Sequence, residues 1–256
     1  MLKNDRLTFI TDYLKKHQTA KVGFLSDQLS VTPETVRRDL EVLEESGEIK
    51  RVHGGAMLKQ ANITETNFEI RESINKNEKE LIAEEACHFV KEGDFIAMDV
   101  STTNTEIAIQ LARQFSQLSV LTNSLVIATI LGKNSNIDVY LPSGKLRNSE
   151  LCVLGASCIS YINQFHIDTF FMSVSGISLE KGLMDYGYGE SEVKMAMYNN
   201  AINKFVVADH TKFESTAMLR VGDVHLVNGI ITDPMISPAI VKKYEEKDIH
   251  IFHSSQ

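Results

Sequence analysis

Residues 98–112, MDVSTTNTEIAIQLA, join an apolar run to a helix-like pattern through a cluster of small polar side chains. Asp99 brings a carboxylate, and Ser101, Thr102 and Thr103 bring hydroxyl groups. Backbone N–H groups at the start of a helix attract anions, so this corner could cradle a phosphate. Serine, threonine and asparagine also cap ordinary helices. An anion site and a plain cap are therefore both open, and the stretch by itself favours the cap.

A second chemical group lies near the amino terminus, where Arg37 and Arg38 stand side by side in VTPETVRRDLEVLEESG. Arginine forks suit guanine edges and phosphate oxygens of DNA. The same helical surface carries Glu34 and Glu41, which could pair with Arg38 and Arg37 respectively at i,i+4 spacing. The arginines therefore fit either a DNA-reading helix or a solvated face with weak ion pairs.

Three short helices are predicted to position these arginines. Apolar residues recur at intervals of three and four, and the stripes are Leu7, Ile10 and Leu14, then Leu25 and Leu29, then Val36, Leu40 and Leu43. The first helix is expected to end near His17. Thr32 is predicted to cap the third helix, with Pro33 at its first position, and that helix is expected to end near Ser46.

A hairpin is predicted directly after the third helix. EIKRVHGGAML fits a strand, a turn at Gly54-Gly55 and a returning strand. Lys50, Arg51 and His53 make this hairpin basic, so it could grip backbone phosphates. Helices followed by a basic hairpin form a winged helix-turn-helix, in which Thr35 and the two arginines would face the major groove.

VTPETVRRDLEVLEESGEIKRVHGGA closely resembles the signature of the DeoR family of bacterial transcriptional regulators. The family pattern has a Ser or Thr turn, an R-R-D-L recognition helix, L-E-x-x-G and a wing ending R-x-H-G-G-A. Ser26 stands where many relatives have alanine. The resemblance implies sequence-specific binding to a double-stranded DNA operator through Thr32, Thr35, Arg37 and Arg38, supported by Lys50, Arg51 and His53.

The rest of the chain alternates between strand-like and helix-like segments. The apolar runs are DFIAMD, LSVLT, IDVYLP, TFFMSVS, KFVVAD, HLVNGIITD and IHIFH, and EKELIAEEACHFVKEG and SEVKMAMYNNAI carry helical spacing. This alternation predicts an α/β domain around a mostly parallel sheet that is buried on both faces. We expect a winged helix-turn-helix domain over residues 1–58, a polar linker over 59–77 and the α/β domain over 78–256.

Polar residues follow most of the predicted strands. They are Asp99 to Asn104, Asn123-Ser124, Ser143, Gly144, Arg147, Gly176, Asp209, His210 and Lys212. Ligands bind at the carboxyl ends of the strands in open α/β sheets. Each of these residues alone could be a turn residue whose hydrogen bonds are made within the protein. Together, and with cations from Arg147 and Lys212, they favour a pocket for a small phosphorylated polyol.

The family resemblance continues through EKELIAEEA, MDVSTTN, LTNS, GKLR, GISLEKGL, ESEVKMAM and VVADHTKF, and so covers almost the whole chain. It implies a sensor domain with a fold like that of ribose-5-phosphate isomerase and the CoA transferases, in which a phosphorylated sugar or related metabolite alters operator binding. The residues that it implies for the ligand are Asp99, Ser101, Thr102, Thr103, Asn123, Gly144, Arg147, Lys194, Asp209 and Lys212.

The chain departs from the family pattern at three places. Ser101 and Asn104 stand in a segment that many relatives read as D-x-G-[ST]-T-T, and the missing glycine could weaken a phosphate cradle. Ser143-Gly144 replaces a frequent Gly-Gly, and His210 stands where serine is common. We expect these changes to alter the ligand rather than the fold.

Composition bounds the class of protein. The chain has 256 residues, 43% apolar and 23% charged, which suits a soluble protein of two domains. Its net charge is −8. Residues 1–57 contain nine basic and nine acidic residues, so the excess of negative charge lies entirely beyond residue 57. No apolar run is long enough to span a membrane and no secretory signal is evident, so we expect a cytoplasmic protein.

Other signatures are weak. Cys87, Cys152 and Cys158 are odd in number and lack C-x-x-C spacing, so we interpret them as reduced core thiols. YGYGES lacks the third glycine of a dinucleotide fingerprint, and the eight histidines form no metal motif. No cofactor and no metal are expected.

The sequence therefore predicts a repressor of a sugar or polyol catabolic operon that acts as a homodimer or homotetramer, because one winged helix contacts few bases. The alternative is that the second domain retains isomerase-like proton transfer, using Asp99, Glu192, Lys194, Asp209 and Lys212. The attached DNA-binding module favours sensing, so we do not expect an enzyme.

Overall fold

A computed structural model describes residues 3–17, 19–47, 49–52, 54–58 and 68–254. The chain forms two compact units, a first unit of residues 1–75 and a second unit of residues 76–256. His53, a candidate DNA contact, lies outside the described residues, as do residues 59–67 of the predicted linker.

The first unit combines helices with a small antiparallel sheet. Its elements are α1 (Lys3–His17), β1 (Thr19–Lys21), α2 (Val22–Leu29), α3 (Pro33–Glu45), β2 (Ile49–Val52), β3 (Gly55–Leu58) and α4 (Phe68–Ser73). Strand β3 lies between β1 and β2 and is antiparallel to both. The predicted winged helix-turn-helix is confirmed, and we call the β2–β3 hairpin the wing.

Two elements of the first unit were not predicted. Strand β1 contains only TAK, which is too short to show the alternation of a strand. Helix α4 falls within the predicted polar linker. The apolar stripes were predicted correctly, since Ile10, Leu14, Leu25, Val36 and Leu40 are almost fully buried in one cluster.

Local capping explains where α3 begins. Ser30 adopts a left-handed conformation after α2, and Thr32 accepts a hydrogen bond from the Thr35 N–H at 3.3 Å. Pro33 occupies the first turn, where its missing N–H costs no hydrogen bond. These features fix the helix that carries Arg37 and Arg38.

The second unit is a three-layer α/β domain. Its helices are α5 (Lys76–Ala86), α6 (Thr102–Gln114), α7 (Leu125–Leu131), α8 (Ala156–Ile162), α9 (Glu190–Asn200) and α10 (Pro238–Glu245). Its strands are β4 (Phe95–Met98), β5 (Leu118–Thr122), β6 (Ile137–Tyr140), β7 (Lys145–Arg147), β8 (Cys152–Leu154), β9 (Ile167–Ser173), β10 (Gly176–Ser178), β11 (Gly182–Asp185), β12 (Ala201–Val207), β13 (Leu219–Gly222), β14 (Gly229–Ile231) and β15 (Ile251–Phe252).

A seven-stranded sheet in the order β15-β14-β12-β9-β4-β5-β6 forms the middle layer, and every neighbouring pair in it is parallel. These are the seven predicted strands. Neighbouring residues alternate between two apolar clusters, as Phe170 and Phe171 do. One cluster includes residues of α5, α6 and α7, and the other includes residues of α8, α9 and α10. The prediction of a parallel sheet buried on both faces is confirmed.

Two small antiparallel sheets, β7-β8 and β10-β11-β13, were not predicted. Their strands have three or four residues, too few for a clear pattern. The hairpin of β7 and β8 is tied to the end of β5, because the Val153 N–H donates to the Asn123 carbonyl at 2.8 Å. Short strands thus bring Arg147 and Asp185 toward the main sheet.

Among the described residues, no helix has the length and apolar character needed to cross a membrane. Within the same ranges, no group of three or more His, Cys, Asp or Glu side chains is arranged to hold a metal ion. Cys87, Cys152 and Cys158 are buried and unbridged. Burial raises the pKa of both Cys87 and Cys158 to about 11, so these thiols remain protonated near neutral pH.

Candidate DNA interface and candidate ligand site

The recognition helix α3 exposes Arg37 and Arg38. The Arg37 guanidinium donates to the Glu34 carboxylate at 3.0 Å, whereas Arg38 forms no ion pair with any described residue. The pairings Glu34–Arg38 and Arg37–Glu41, considered above for a solvated face, are therefore wrong. Because i,i+3 neighbours also meet on a helix, Arg37 reaches Glu34 instead.

The hydroxyls of Thr32 and Thr35 are 2.9 Å apart, so each of these candidate DNA contacts orients the other. Thr35 is half-buried at the first turn of α3 and Thr32 is exposed. Both lie at the amino-terminal end of the helix, the part of a recognition helix that approaches base edges.

The wing carries two described basic residues with different surroundings. Lys50 is exposed and forms no ion pair among the described residues. Arg51 instead contacts α3, where its Nη1 donates to Glu41 at 2.6 Å and its Nε donates to Glu44 at 2.8 Å. The Arg51 N–H also donates to Glu44 at 2.7 Å, and these hydrogen bonds hold the pKa of Glu44 below its usual range.

An ion pair inside the first unit was not predicted. Arg6 on α1 donates through two nitrogens to Asp39 on α3, at 2.6 and 3.0 Å, and Asp39 is buried. The signal was present in the sequence, because Asp39 follows Val36 by three residues and so shares its buried face. A buried carboxylate needs a partner, and this one joins two helices.

In the second unit, polar side chains gather where the parallel strands end, which we call the carboxyl edge. Asp99 follows β4, Asn123 follows β5, Ser173 ends β9, Asp209 follows β12 and Asp233 follows β14. All five strands are parallel, so these residues lie at one edge of the sheet. The edge that the sequence predicted as a ligand site does collect polar groups.

Lys194 on α9 is the charged centre of this edge, and it is fully buried. Its Nζ lies 3.0 Å from the Asp99 carboxylate and also donates to the Asp185 carboxylate and the Ser173 carbonyl. Asp185 accepts a second hydrogen bond from the Ser175 hydroxyl at 2.7 Å. Two predicted ligand residues, Asp99 and Lys194, are thus paired with each other.

The Asp99 carboxylate has further donors. It accepts from the Ser173 N–H at 2.8 Å, the Ser173 hydroxyl at 2.6 Å and the Asn104 side chain at 2.9 Å. The Asn104 amide nitrogen also donates to the Asp99 and Phe171 carbonyls, each at 3.0 Å. Within the described residues, the Asn104 amide oxygen and the Thr232 hydroxyl are the buried side-chain polar atoms without a partner.

The buried charges affect one another's ionisation. Burial raises the pKa of Asp99 and outweighs the attraction of Lys194 and the hydrogen bonds from Ser173. Burial acts the same way on Asp185, but the charge and hydrogen bond of Lys194 prevail and lower its pKa. Burial opposes the charged form of Lys194, yet the two carboxylates raise its pKa, so the ammonium group stays protonated.

Ser101 and Asn123 have local structural partners. Ser101 caps α6 by accepting from the Asn104 N–H at 2.9 Å, and its backbone is extended, a conformation open to any residue. Asn123 accepts from the Val100 N–H at 3.1 Å and donates to the Val153 carbonyl at 3.2 Å. The cap interpretation of the opening stretch is therefore correct for Ser101.

Thr102 and Thr103 are the first two residues of α6, and both are buried. Their backbone N–H groups belong to the first turn, where no intrahelical acceptor is available. The start of α6 thus retains the feature that makes a helix terminus suitable for an anion, beside the Asp99 and Lys194 pair.

Arg147 and Glu190 form a second charged group. The Arg147 guanidinium donates to the Glu190 carboxylate at 2.5 Å and to the Ser149 hydroxyl at 3.2 Å. Burial raises the pKa of Glu190 to about 7 against the attraction of Arg147 and Lys194. The charge of Lys194 lowers the pKa of Glu190, and Lys194 also pairs with Asp99. The Arg147–Glu190 pair therefore lies next to the pair of Lys194 and Asp99.

Asp209 and Lys212 lie on one short 3₁₀ turn after β12. The Asp209 carboxylate accepts from the Thr211 N–H at 3.0 Å and from the Thr211 hydroxyl. Burial acts to raise the pKa of Asp209, but Lys212, Thr211 and Lys79 together lower it. His210, on the same turn, lies 2.9 Å from the buried Asp233.

Gly144 has a packing role in the β7–β8 hairpin. Its φ is +155°, and a Cβ there would lie 2.4 Å from the Leu154 carbonyl oxygen. A side chain would force the two strands apart, which accounts for the glycine without a ligand. Its place in the predicted ligand set stays a prediction.

Several residues of this edge were not predicted. Asp185 lies on a four-residue strand, Ser173 ends a strand and Glu190 begins a helix without a distinctive motif. Only the three-dimensional arrangement links them to Lys194 and Arg147. Glu192, in contrast, is exposed on α9, and no described contact joins it to Asp99 or Lys194.

Comparisons with known proteins match both units. The family model described as DeoR-like helix-turn-helix domain matches residues 6–61, and the model described as DeoR C terminal sensor domain matches residues 74–234. The second match alone covers more than half of the chain.

Individual relatives agree with the family models. The chain is 34% identical to the HTH-type transcriptional regulator GolR of Listeria innocua over 98% of each chain. It is 30% identical to the glycerol-3-phosphate regulon repressor of Escherichia coli, covering 91% of this chain and 92% of that one. Ribose 5-phosphate isomerase A from Neisseria gonorrhoeae, a solved structure, is similar over 54% of this chain and 53% of its own, with a TM-score of 0.41 and 15% identity.

The recognition helix, the wing and the parallel-sheet unit are thus the parts that the two family models describe. Because the family models and the relatives together span nearly the whole chain, the protein belongs to the DeoR family of helix-turn-helix transcriptional regulators.

Proposed function

We propose that this protein represses a sugar or polyol catabolic operon and that a phosphorylated sugar or polyol, bound at the carboxyl edge of the second unit, changes its operator affinity. The observation that carries the proposal is the combination of exposed arginines on a recognition helix with a second unit whose carboxyl edge gathers cations and a helix start. The first feature suits DNA and the second suits a small anion.

For DNA, the proposed contacts are Thr35, Arg37 and Arg38 on α3 and Lys50 on the wing. Arg37 and Arg38 are exposed, and Arg38 has no ion pair among the described residues. An exposed, unpaired arginine can reach guanine edges or phosphates without first losing an internal partner. Thr32 contributes by capping the helix.

For the effector, the proposed anchor of the phosphate is the start of α6 at Thr102 and Thr103, with Arg147 and Lys212 as the cations. Buried acceptors in proteins almost always have a hydrogen-bond partner, and the amide oxygen of Asn104 has none among the described residues. A ligand hydroxyl that donates to this oxygen would supply the partner. The Escherichia coli relative, named for a glycerol-3-phosphate regulon, supports a phosphorylated polyol as the class of ligand.

The remaining residues of the proposed site surround the ligand without anchoring its phosphate. They are Asp99, Ser101, Asn123, Gly144, Lys194 and Asp209. Most of them are held by internal hydrogen bonds, so they fix the geometry around the ligand. A ligand changes operator affinity only if it binds one arrangement of the protein better than another. We further propose a homodimer or homotetramer, since repeated half-sites add specificity.

The experiment begins with selection of a 30-base-pair duplex from a random pool on the full-length protein. Its affinity is then measured with and without glycerol 3-phosphate, glucose 6-phosphate, fructose 6-phosphate and ribose 5-phosphate, with the unphosphorylated compounds as controls. At least one phosphate is expected to change the affinity by about fivefold or more. A pool that yields no duplex contradicts DNA binding, whereas a duplex whose affinity none of the four phosphates changes contradicts the proposed effector.

We propose that the second unit is not catalytic. General acid–base catalysis needs a group that can exchange a proton with the substrate near neutral pH. Burial raises the pKa of Glu190 to about 7, but its carboxylate is paired with the Arg147 guanidinium at 2.5 Å. Lys194 is held by two carboxylates, and the lowered pKa of Asp209 makes it a weak base. No turnover of the same sugar phosphates is expected by NMR, and a turnover that disappears in Asp209→Asn would contradict this proposal.

A further inference from the structure

We propose that Arg51 is a positioning residue that holds the wing against the recognition helix through Glu41 and Glu44, also when DNA is bound, and that it makes no phosphate contact. The inference rests on DNA binding by the first unit. It differs from what the family resemblance implies, in which the basic residues of the wing act together on DNA.

Arg51 is bound to α3 through its backbone N–H and through two of its three guanidinium nitrogens. Its N–H and Nε both donate to the Glu44 carboxylate, at 2.7 and 2.8 Å, while Nη1 donates to Glu41 at 2.6 Å. Glu41 and Glu44 are three residues apart on α3, so they lie on one face of the helix. One planar fork therefore spans two carboxylates and fixes the start of the wing beside the last turns of α3.

The local charge also opposes a phosphate at this position. Two carboxylates surround one guanidinium, so the group carries a net charge of about −1 near neutral pH. A phosphate that captured Arg51 would approach Glu41 and Glu44 and leave both without their partner. The hydrogen bonds raise the pKa of Arg51 and lower that of Glu44, in agreement with a tight internal pair.

Lys50 provides the natural contrast because it is the neighbouring residue on β2. Successive side chains of a strand point to opposite faces, so Lys50 and Arg51 leave β2 on opposite sides, although the charge of Lys50 still helps to lower the pKa of Glu44. It is exposed and has no ion pair within the described part of the chain. We therefore expect Lys50, and not Arg51, to neutralise a phosphate.

The test measures affinity for the selected 30-base-pair duplex at several salt concentrations in the full chain. Loss of one phosphate contact should reduce the slope of log affinity against log salt by about 0.9. Lys50→Gln is expected to show this reduction. Arg51→Gln is expected to weaken binding by about three- to tenfold while the slope stays that of the wild type.

A second variant separates charge from geometry. Arg51→Lys keeps the positive charge but loses the fork, so a positioning role predicts about the same loss of affinity as Arg51→Gln. A phosphate contact predicts affinity near that of the wild type, because lysine also binds phosphate as a point charge. Far-UV circular dichroism and the urea midpoint of each variant exclude unfolding as the cause.

The sign of the Glu44 effect gives an independent readout. Glu44→Ala is expected to weaken DNA binding although it removes a negative charge, and Arg51→Gln should then cost less than it does in the wild type, because only the contact with Glu41 is left to lose. The matched control is Glu45→Ala, since Glu45 is an exposed carboxylate on the same helix. Its loss should leave affinity unchanged or slightly higher.

Three results would overturn the proposal. They are a reduced salt slope in Arg51→Gln, unchanged affinity in Arg51→Gln, and affinity in Glu44→Ala as high as in Glu45→Ala. Each is separate from failure of DNA binding itself, which would appear as the absence of any selected duplex for the wild type.

Discussion

The charged residues of the two units differ most in their exposure to water. In the ion pairs of α3 and the wing, the side chains of Glu34, Arg37, Glu41, Glu44 and Arg51 keep 37–64% of their surface exposed. Around Lys194, the paired side chains keep only 2–12%. Similar contacts therefore have different consequences, because water screens the first set and is excluded from the second.

This difference in exposure indicates which ion pairs can open so that a charged side chain binds a partner molecule instead. The exposed pair of Arg37 with Glu34 contributes little to stability, so Arg37 can move to a DNA phosphate at small cost, whereas Arg51 is bound by two carboxylates at once. A buried pair cannot be opened in this way, because its charges have lost their hydration. The first unit thus offers Arg37 and Arg38 to DNA, whereas the second holds its central charges in place around the proposed ligand site.

The largest expected effect is on stability, from Lys194→Met. The substitution removes the ammonium group from two buried carboxyl groups, Asp99 and Asp185, so each must either take up a proton or stay charged without its counter-ion. We expect the free energy of unfolding of the second unit to fall by about 3–5 kcal/mol. Hydrogen exchange of peptides from β4 and β9 in the full chain measures this loss.

Lys181→Met is the matched control for this variant. Lys181 is exposed and its side chain forms no described ion pair, so its replacement should change the free energy by less than about 0.5 kcal/mol. Equal, small effects of the two substitutions would remove the contrast between the units.

The second prediction concerns pH and Glu190. Burial raises its pKa from 4.5 to about 7, so the folded state holds the Glu190 proton more tightly than the unfolded chain does. The free energy of unfolding must then fall as the pH rises from about 4.5 to about 7. Each tenfold difference in proton affinity between the two states corresponds to about 1.4 kcal/mol, so the loss from this residue is about 3 kcal/mol at pH 8.

Glu190→Gln should abolish that loss. The variant is expected to match the wild type near pH 4.5 and to exceed it at pH 8, when urea unfolding is measured across the range. Glu192→Gln, which changes an exposed carboxylate on the same helix, should follow the wild type at every pH. A constant difference between Glu190→Gln and the wild type would show that Glu190 does not titrate in this window.

Most of the fold could be predicted because long periodic segments carry their own signal. The seven strands of the main sheet and helices α1, α3, α5 and α9 have clear apolar spacing, and all were predicted. Strands of three or four residues, such as β1 and β7, carry no such signal, and their pairing with β3 and β8 appears only in the folded chain.

The sites were less predictable, since a motif gives residue types without their partners. The exposure of Arg37 and Arg38 follows from helix spacing. The capture of Arg51 by Glu41 and Glu44 depends on how the wing folds back, and the pairing of Lys194 with Asp185 joins a helix to an unpredicted strand. These contacts join residues that are distant in the sequence, so they become visible only in the folded structure.

The third prediction turns to the exposed charges. Arg38→Gln should weaken binding to the selected duplex by about 1–3 kcal/mol, while the free energy of unfolding changes by less than about 0.5 kcal/mol. Arg37→Gln should weaken it less, because Glu34 already neutralises part of its charge. Arg220→Gln removes an exposed charge from the second unit and should leave affinity unchanged.

The smallest expected effect comes from Glu34→Gln, which removes the partner of Arg37. The side chain of Arg37 is 58% exposed and that of Glu34 is 64% exposed, so the pair should contribute at most about 0.5 kcal/mol to the free energy of unfolding. Affinity for the duplex should rise by about twofold, because a carboxylate beside the DNA-reading arginines is lost. Urea unfolding and binding titrations at the same salt concentration measure both values. A loss of stability comparable to that of Lys194→Met would mean that exposure does not distinguish the ion pairs of the two units.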